Sequence, residues 1–219
     1  MPEALTEHRL LSTSVDFAHP RTAEVPRLPR ALLGNDLIDG LAEPAFRALQ
    51  PTLERVALTR GCLLHAAHQP IAHAHFPIQG LVSLMARDRH SRQLEVGLVG
   101  RGGMVGASEV LTGGGPAVAE AVMQVPGEAW RVAAVELVAL LRLNRTLQTS
   151  LLRYVHMLTE EMAQIALATG HDTIDQRLAR WLLAAGLRSD SRHLDVTHED
   201  LSRVLAVRRS GITVALHVL

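Results

Sequence analysis

The apolar residues of this chain change period part-way along it, and that change narrows the folds open to it. From residue 56 to about residue 132 they come in short runs broken by glycine and proline. Examples are Gly61-Cys62-Leu63-Leu64, Gly80-Leu81-Val82-Ser83-Leu84-Met85 and Leu94-Glu95-Val96-Gly97-Leu98-Val99-Gly100. Short strands at near-regular spacing, with turn residues between them, predict a closed barrel or jelly roll. After Pro126-Gly127-Glu128 the pattern is expected to turn helical. Between residues 144 and 170, Leu147, Leu151, Val155, Leu158, Met162 and Ile165 recur at steps of four and three. A mean step near three and a half suits a coiled-coil seam against a partner chain. The alternative is a single amphipathic helix packed on its own barrel. A further helix is expected from Thr173, with Ile174, Leu178, Leu182 and Leu183 inward and Gly186 closing it.

The core of such a chain has to be aliphatic, because 47% of its residues are hydrophobic but only 3% are aromatic. That supply argues against disorder of the whole chain. The 22 basic residues, all arginine, cancel the 22 acidic ones. Net charge therefore makes no case for nucleic acid, although a local basic face can hide in a cancelled total. Cys62 is the only cysteine, which excludes an intrachain disulfide or a cluster held by several thiolates of one chain. The first residues do not read as a secretory signal, and no apolar stretch approaches a membrane span. A cytoplasmic protein without membrane contact is the expectation. Residues 1–30, punctuated by Pro20, Pro26 and Pro29, read as a disordered tail. Order is expected to begin near Asn35, an N-cap for a helix carrying Leu37, Ile38 and Leu41. A second helical piece with Phe46 and Leu49 would end near Pro51.

The C-terminal segment carries the most specific pattern. Thr197 can cap a helix beginning Thr197-His198-Glu199-Asp200, with Asp200 three residues on approximating a capping box. That helix carries Leu201, Val204 and Leu205 and breaks at Ala206-Val207; a second, starting after Arg208, turns Ile212, Ala215, Leu216 and Leu219 inward. Two short helices joined so tightly form a helix-turn-helix, whose second helix enters the major groove of DNA. Arg209, Ser210, Thr213 and His217 are left facing outward. Arg209 can place two donors on guanine, while Ser210 and Thr213 suit phosphate or a base edge. Arg203 and Arg208 add charge at the flanks, and Thr197 completes the predicted DNA-binding set.

Several segments, in order, resemble one family. Gln176-Arg177-Leu178-Ala179-Arg180-Trp181-Leu182-Leu183 and residues 197–219 are similar to regulators of the cyclic AMP receptor and fumarate-nitrate reductase (Crp/Fnr) superfamily. Leu205-Ala206-Val207-Arg208-Arg209-Ser210-Gly211-Ile212-Thr213 resembles that family's turn and recognition helix. Upstream, Phe76-Pro77-Ile78-Gln79-Gly80-Leu81-Val82-Ser83-Leu84 and Glu95-Val96-Gly97-Leu98-Val99-Gly100 resemble its barrel strands. So do Gly103-Met104-Val105-Gly106 and Gln124-Val125-Pro126-Gly127-Glu128-Ala129. The resemblance implies an α+β protein: an N-terminal cyclic-nucleotide-binding-like β jelly-roll over residues 31–142, a long dimerisation helix over 143–170, and a winged-helix-type helix-turn-helix over 171–219. It implies a homodimer that binds double-stranded DNA and acts on RNA polymerase. Family members continue past the recognition helix into a β-hairpin wing, which is expected to be missing here because the sequence ends at Leu219.

The pocket motif departs from the cyclic-nucleotide pattern. Where nucleotide-binding members carry a Gly-Glu-Leu-Gly-like turn, this chain has Gly103-Met104-Val105-Gly106, and Pro116-Ala117-Val118-Ala119-Glu120-Ala121 offers no arginine. A buried phosphate without a guanidinium is poorly compensated. Met104, Val105 and Gly106 are thus the candidate effector pocket, for an effector other than cyclic AMP. Four of the 12 histidines crowd together as His65, His68, His73 and His75. Loop or surface positions are their expected setting, and no cofactor is expected. Haem or metal bound through them is a lesser alternative, since His73 and His75 would share a strand face. A metal-dependent cupin-like enzyme is a weaker reading, because the acid such enzymes place after the pair is absent and Gln79 stands near its place. A dimeric sensor or interaction protein that has lost DNA binding is the remaining alternative.

Overall fold

Asn35 begins the described architecture by doing two things with one side chain. In the computed structural model, which describes residues 33–189 and 193–219, it caps α1 (Asp36–Asp39), its Oδ1 accepting the Ile38 amide at 3.1 Å. Its Nδ2 donates to the carbonyls of Pro77 at 2.8 Å and Gly103 at 3.0 Å. A helix end is thereby satisfied and pinned to the strands at once. The tail expected over residues 1–30 lies outside the described residues. α2 (Glu43–Leu49) follows, with proline in its first turn, and tightens into a 3-10 turn over Gln50–Thr52.

Among the described residues seven strands form two antiparallel sheets. One holds β1 (Glu54–Leu58), β7 (Gly127–Ala133) and β3 (His73–Pro77), in that order. The other holds β2 (Leu63–His65), β6 (Glu120–Val125), β4 (Leu81–Arg87) and β5 (Gln93–Val99). Phe76, Trp130 and Val132 from the first sheet, and Val82, Ala121 and Met123 from the second, are buried, which makes the expected jelly roll. The sheets meet at a corner that admits no side chain. Gly80 sits at φ +81°, where a Cβ would lie 2.4 Å from the Val125 carbonyl; at Gly127 it would lie 2.3 Å from that of Gln79. One expectation is corrected here. Residues after Gly127 are not yet helical but form β7, whose backbone pairs with a strand on each side. The helical pattern starts with α4 (Ala134–Leu143).

α3 (Ala107–Leu111) interrupts the strands between β5 and β6. α5 (Arg145–His171) is capped by Asn144, whose side chain accepts the Leu147 amide at 2.9 Å, and its 27 residues span about 40 Å. The seam read from its sequence faces the chain's own barrel. Leu147 and Leu151 are fully buried in the core shared by α2, α4 and the first sheet. Val155 packs against the same core, and Leu158 and Met162 pack against that of the second sheet. Ile165 is half-buried. A 3.5-residue period reports only that a helix buries one stripe; it does not say whether a second chain or the same chain covers it. The face of α5 left open carries Leu152 and Leu167, 52% and 55% exposed, with Thr159, Ala163 and Gly170 between and beyond them.

α6 (Ile174–Ser189) runs through Gly186 rather than ending there. A mid-helix glycine costs only ~1 kcal/mol, and Arg188 beyond it donates to Glu161 of α5 at 2.7 Å. The inward residues of α6 are Leu178, Trp181 and Ala185; Ile174 and Leu183, expected inward, are exposed. α7 (His198–Val204) and α8 (Arg209–Val218) complete the lobe. Its core of Leu178, Trp181, Leu201, Val204, Ile212 and Ala215 is continuous with Leu81, Met85 and Leu98 on the second sheet. Among the described residues no helix is long and apolar enough to cross a membrane.

Candidate nucleic-acid interface and ligand cavity

Thr197 and Asp200 build the start of α7 as a reciprocal capping box. The Asp200 amide donates to Thr197 Oγ1 at 3.1 Å, and the Thr197 amide donates to Asp200 Oδ2 at 3.0 Å. The Thr197 hydroxyl donates to the same carboxylate, so it is taken up by the cap and not turned to solvent. Burial pushes the Asp200 carboxyl up, but the Thr197 donors and the Arg60 guanidinium outweigh it and hold it below the usual range. α7 leaves through Ala206, which takes a left-handed φ of +52°. Arg177 of α6 donates to the Leu205 carbonyl at 2.6 Å and fixes this turn.

Arg208 then caps α8, which buries Ile212 and Ala215 and so presents the opposite face. Arg209, Ser210 and His217 are exposed there. Among the described residues neither Arg208 nor Arg209 makes an ion pair. Arg203 differs, lying 3.7 Å from Glu199 and 4.0 Å from Asp200, so part of its charge is answered within α7. Thr213, expected to face outward, is half-buried; its Oγ1 lies 3.3 Å from His198 Nδ1 and donates to the Arg209 carbonyl. The outward position nearby is Val214, 66% exposed. The sequence reading missed it, although it lies four residues from Ser210 and therefore on the same helix face. An exposed valine methyl there suits the C5-methyl of thymine.

Inside the barrel a cavity of about 290 Å³ is lined by Met104, Gly106, Ser108 and Glu109 on the α3 side and by Leu158 and Met162 of α5. His65 also lines it. Val105, expected in the pocket, is instead buried in the barrel core, and its backbone exchanges hydrogen bonds with His75. None of the lining residues is an arginine, and Glu109 is buried, its carboxylate accepting from the Ser108 hydroxyl at 2.9 Å. His65 and His75 do not sit on the surface, as expected, but are 8% and 5% exposed, each with Nδ1 unpartnered. Burial lowers the pKa of both. For His65, Glu109 and the Ala119 carbonyl oppose the drop; for His75, His73, Arg131 and His65 add to it and bring it to about 4. The rings of His73 and His75 are 6.3 Å apart, but among the described residues no three metal-ligating side chains cluster.

The two-sheet roll, its inserted α3 and the helix after it recur in known proteins. Residues 55–144 match the family model of the cyclic nucleotide-binding domain. No curated protein sequence matches the chain. Solved structures share its fold beyond that domain. The c-di-GMP-responsive global regulator CLP of Xanthomonas campestris is 14% identical with a TM-score of 0.65, over 81% of this chain and 91% of that one. FixK2 of Bradyrhizobium japonicum is 15% identical with a TM-score of 0.66, over 76% and 84%. A CRP/FNR-family transcriptional regulator of Thermus thermophilus is 19% identical with a TM-score of 0.58, over 76% and 85%. The chain thus has the fold of the Crp/Fnr regulators.

The β-roll domain is tied to the helix-turn-helix lobe by a buried acid. Trp181 Nε1 of α6 donates to Glu95 Oε1 at 2.7 Å, and Ser83 Oγ lies 2.5 Å from the other carboxyl oxygen. Burial pushes Glu95 up to about 8, with the Ser83 and Trp181 hydrogen bonds opposing. Arg60 of the domain reaches Asp195 Oδ2 at 2.7 Å and Asp200 Oδ2 at 3.0 Å. An acid within an otherwise apolar buried strand was the signal available in sequence, and the reading passed over it.

Proposed function

We propose that the chain is a homodimeric, sequence-specific DNA-binding transcription regulator of the Crp/Fnr type whose effector is not cyclic AMP. The carrying observation is α8, which presents Arg209, Ser210, Val214 and His217 as one exposed face with two unpaired arginines at its start. Guanidinium, hydroxyl and methyl on the first turns of such a helix supply base-edge and phosphate contacts. The shared fold of three solved regulators supports the same reading. Val214 joins Arg209, Ser210 and His217 as the base-facing set, Arg208 takes phosphate, and RNA polymerase is the partner such a regulator would act on. Dimerisation falls to the open face of α5 around Leu152 and Leu167, since Leu147 and Leu151 are buried within the chain. The lining argues against cyclic AMP: Glu109 and an absence of lining arginines would leave its phosphate opposite a carboxylate.

The test is to enrich genomic DNA fragments on the purified chain and sequence them. The proposal expects one motif with two-fold symmetry and half-sites centred about 10–10.5 bp apart or a multiple of that. Fragments without any common motif would refute it.

A further inference from the structure

The barrel cavity has a mainly apolar lining. Sixteen residues line it, and only His65, Ser108 and Glu109 among them have polar side chains. These three stand close to one another: the Ser108 hydroxyl donates to the Glu109 carboxylate, and that carboxylate acts electrostatically on His65. The remaining wall is aliphatic, from Leu84, Leu94 and Val96 on the second sheet to Leu158, Met162 and Ile165 on α5. At about 290 Å³ the space sits at the small end of ligand pockets, which run from about 300 to 1,000 Å³. Only 8% of His65 is exposed, and its Nδ1 is buried with no partner. A buried polar atom without a partner costs ~1–3 kcal/mol unless something answers it. Burial lowers the pKa of His65, which favours the uncharged ring with one acceptor nitrogen. Glu109 can accept as well, and it repels an anion.

We infer that the cavity takes a small, largely apolar molecule that carries a hydroxyl or amine donor at one end and no negative charge, with the polar corner of His65, Ser108 and Glu109 accepting that donor. This deepens the regulator reading by naming the chemical class of its effector, and so it rests on that reading for its consequence. The binding itself involves no DNA. Leu158, Met162 and Ile165 on the cavity wall belong to α5, the helix that continues toward the DNA-binding lobe, so an occupant would press on the element joining the two parts.

The test is calorimetric titration of the full chain, without DNA, using 1-octanol as the probe. Its isomer 1-methoxyheptane has the same bulk but no donor, octanoate has a similar tail and a negative charge, and cyclic AMP is the fourth ligand. The expected result is saturable binding of 1-octanol, roughly three- to tenfold weaker binding of the ether, from one hydrogen bond of typical net worth, and weaker binding still of octanoate and cyclic AMP. In His65→Leu the advantage of the alcohol over the ether should shrink while both still bind. The alcohol–ether comparison is made on the unaltered chain and decides the matter even if that variant does not fold. No binding of 1-octanol, equal binding of alcohol and ether, or tighter binding of octanoate or cyclic AMP would overturn the inference. A chain that binds 1-octanol as expected but no DNA would sink the regulator reading and leave this site standing.

Discussion

Replacing Glu95 with glutamine isolates the buried joint between the barrel and the helix-turn-helix lobe. Glutamine keeps an oxygen for the Trp181 indole and a polar partner for Ser83, so it preserves the geometry and removes only the titration. The carboxyl is raised from 4.5 to about 8 by burial. Between those values the folded chain holds a proton that the unfolded chain has released. Stability from this group is therefore fully present below about pH 4.5, falls as pH rises through the window, and is gone above about pH 8. The slope for one proton is about 1.4 kcal/mol per pH unit. From about pH 5.5 to about pH 7.5, the wild type should lose ~3 kcal/mol of stability relative to Glu95→Gln. Glu161, also raised by burial, is present in both proteins and largely cancels in the difference. Urea denaturation of both proteins at several pH values measures it. If the two stability curves run parallel through the window, Glu95 is ionised in the folded chain and the reasoning fails.

Arg209→Ala should cost ~1–3 kcal/mol at the preferred site and relax preference at one base pair, with thermal stability unchanged because the side chain makes no ion pair. Arg208→Ala should instead weaken all sequences about equally and flatten the salt dependence by roughly one unit; titrations at several salt concentrations separate the two. Ala206→Gly removes a side chain from a left-handed φ of +52° and should stabilise the lobe by about 0.5–1 kcal/mol, the relief of strain exceeding the added chain entropy; a stability loss in chemical denaturation would contradict this. Leu152→Glu with Leu167→Glu puts charge on the open face of α5 and should give monomers by analytical ultracentrifugation; a dimer of undiminished strength would move the interface elsewhere.

Much of the architecture was legible because local chemistry and tertiary role coincide. Asn35 caps, Thr197 and Asp200 form the capping box, and the glycine-broken runs of residues 56–132 become strands for the reasons their residue types suggest. The misses arose where one local pattern serves two tertiary ends. The stripe from Leu147 to Ile165 has the period of a coiled coil, yet its upper part packs on the same chain's barrel. Gly186 reads as a stop, yet α6 continues because Arg188 beyond it finds Glu161. Histidines beside glycine and proline look like loop residues, yet His65 and His75 end on strands that turn them inward. On α8 the helix period marked the outward face, but the side-chain bond that draws Thr213 toward His198 and leaves Val214 outermost depends on how α7 packs beside it. The Glu95–Trp181 pair joins residues 86 positions apart, beyond the reach of any local pattern.

The most direct test of the account is an anisotropy titration of the intact protein at 0.15 M salt on two labelled duplexes. One carries the motif recovered by enrichment and the other the same bases shuffled. A sequence-reading α8 predicts affinities that differ by at least ~10³-fold, the lower end for specific over non-specific binding. Equal affinity for both duplexes, falling in parallel as salt is raised, would show an arginine surface that holds phosphate and reads nothing, and would contradict the assignment of this chain as a sequence-specific regulator.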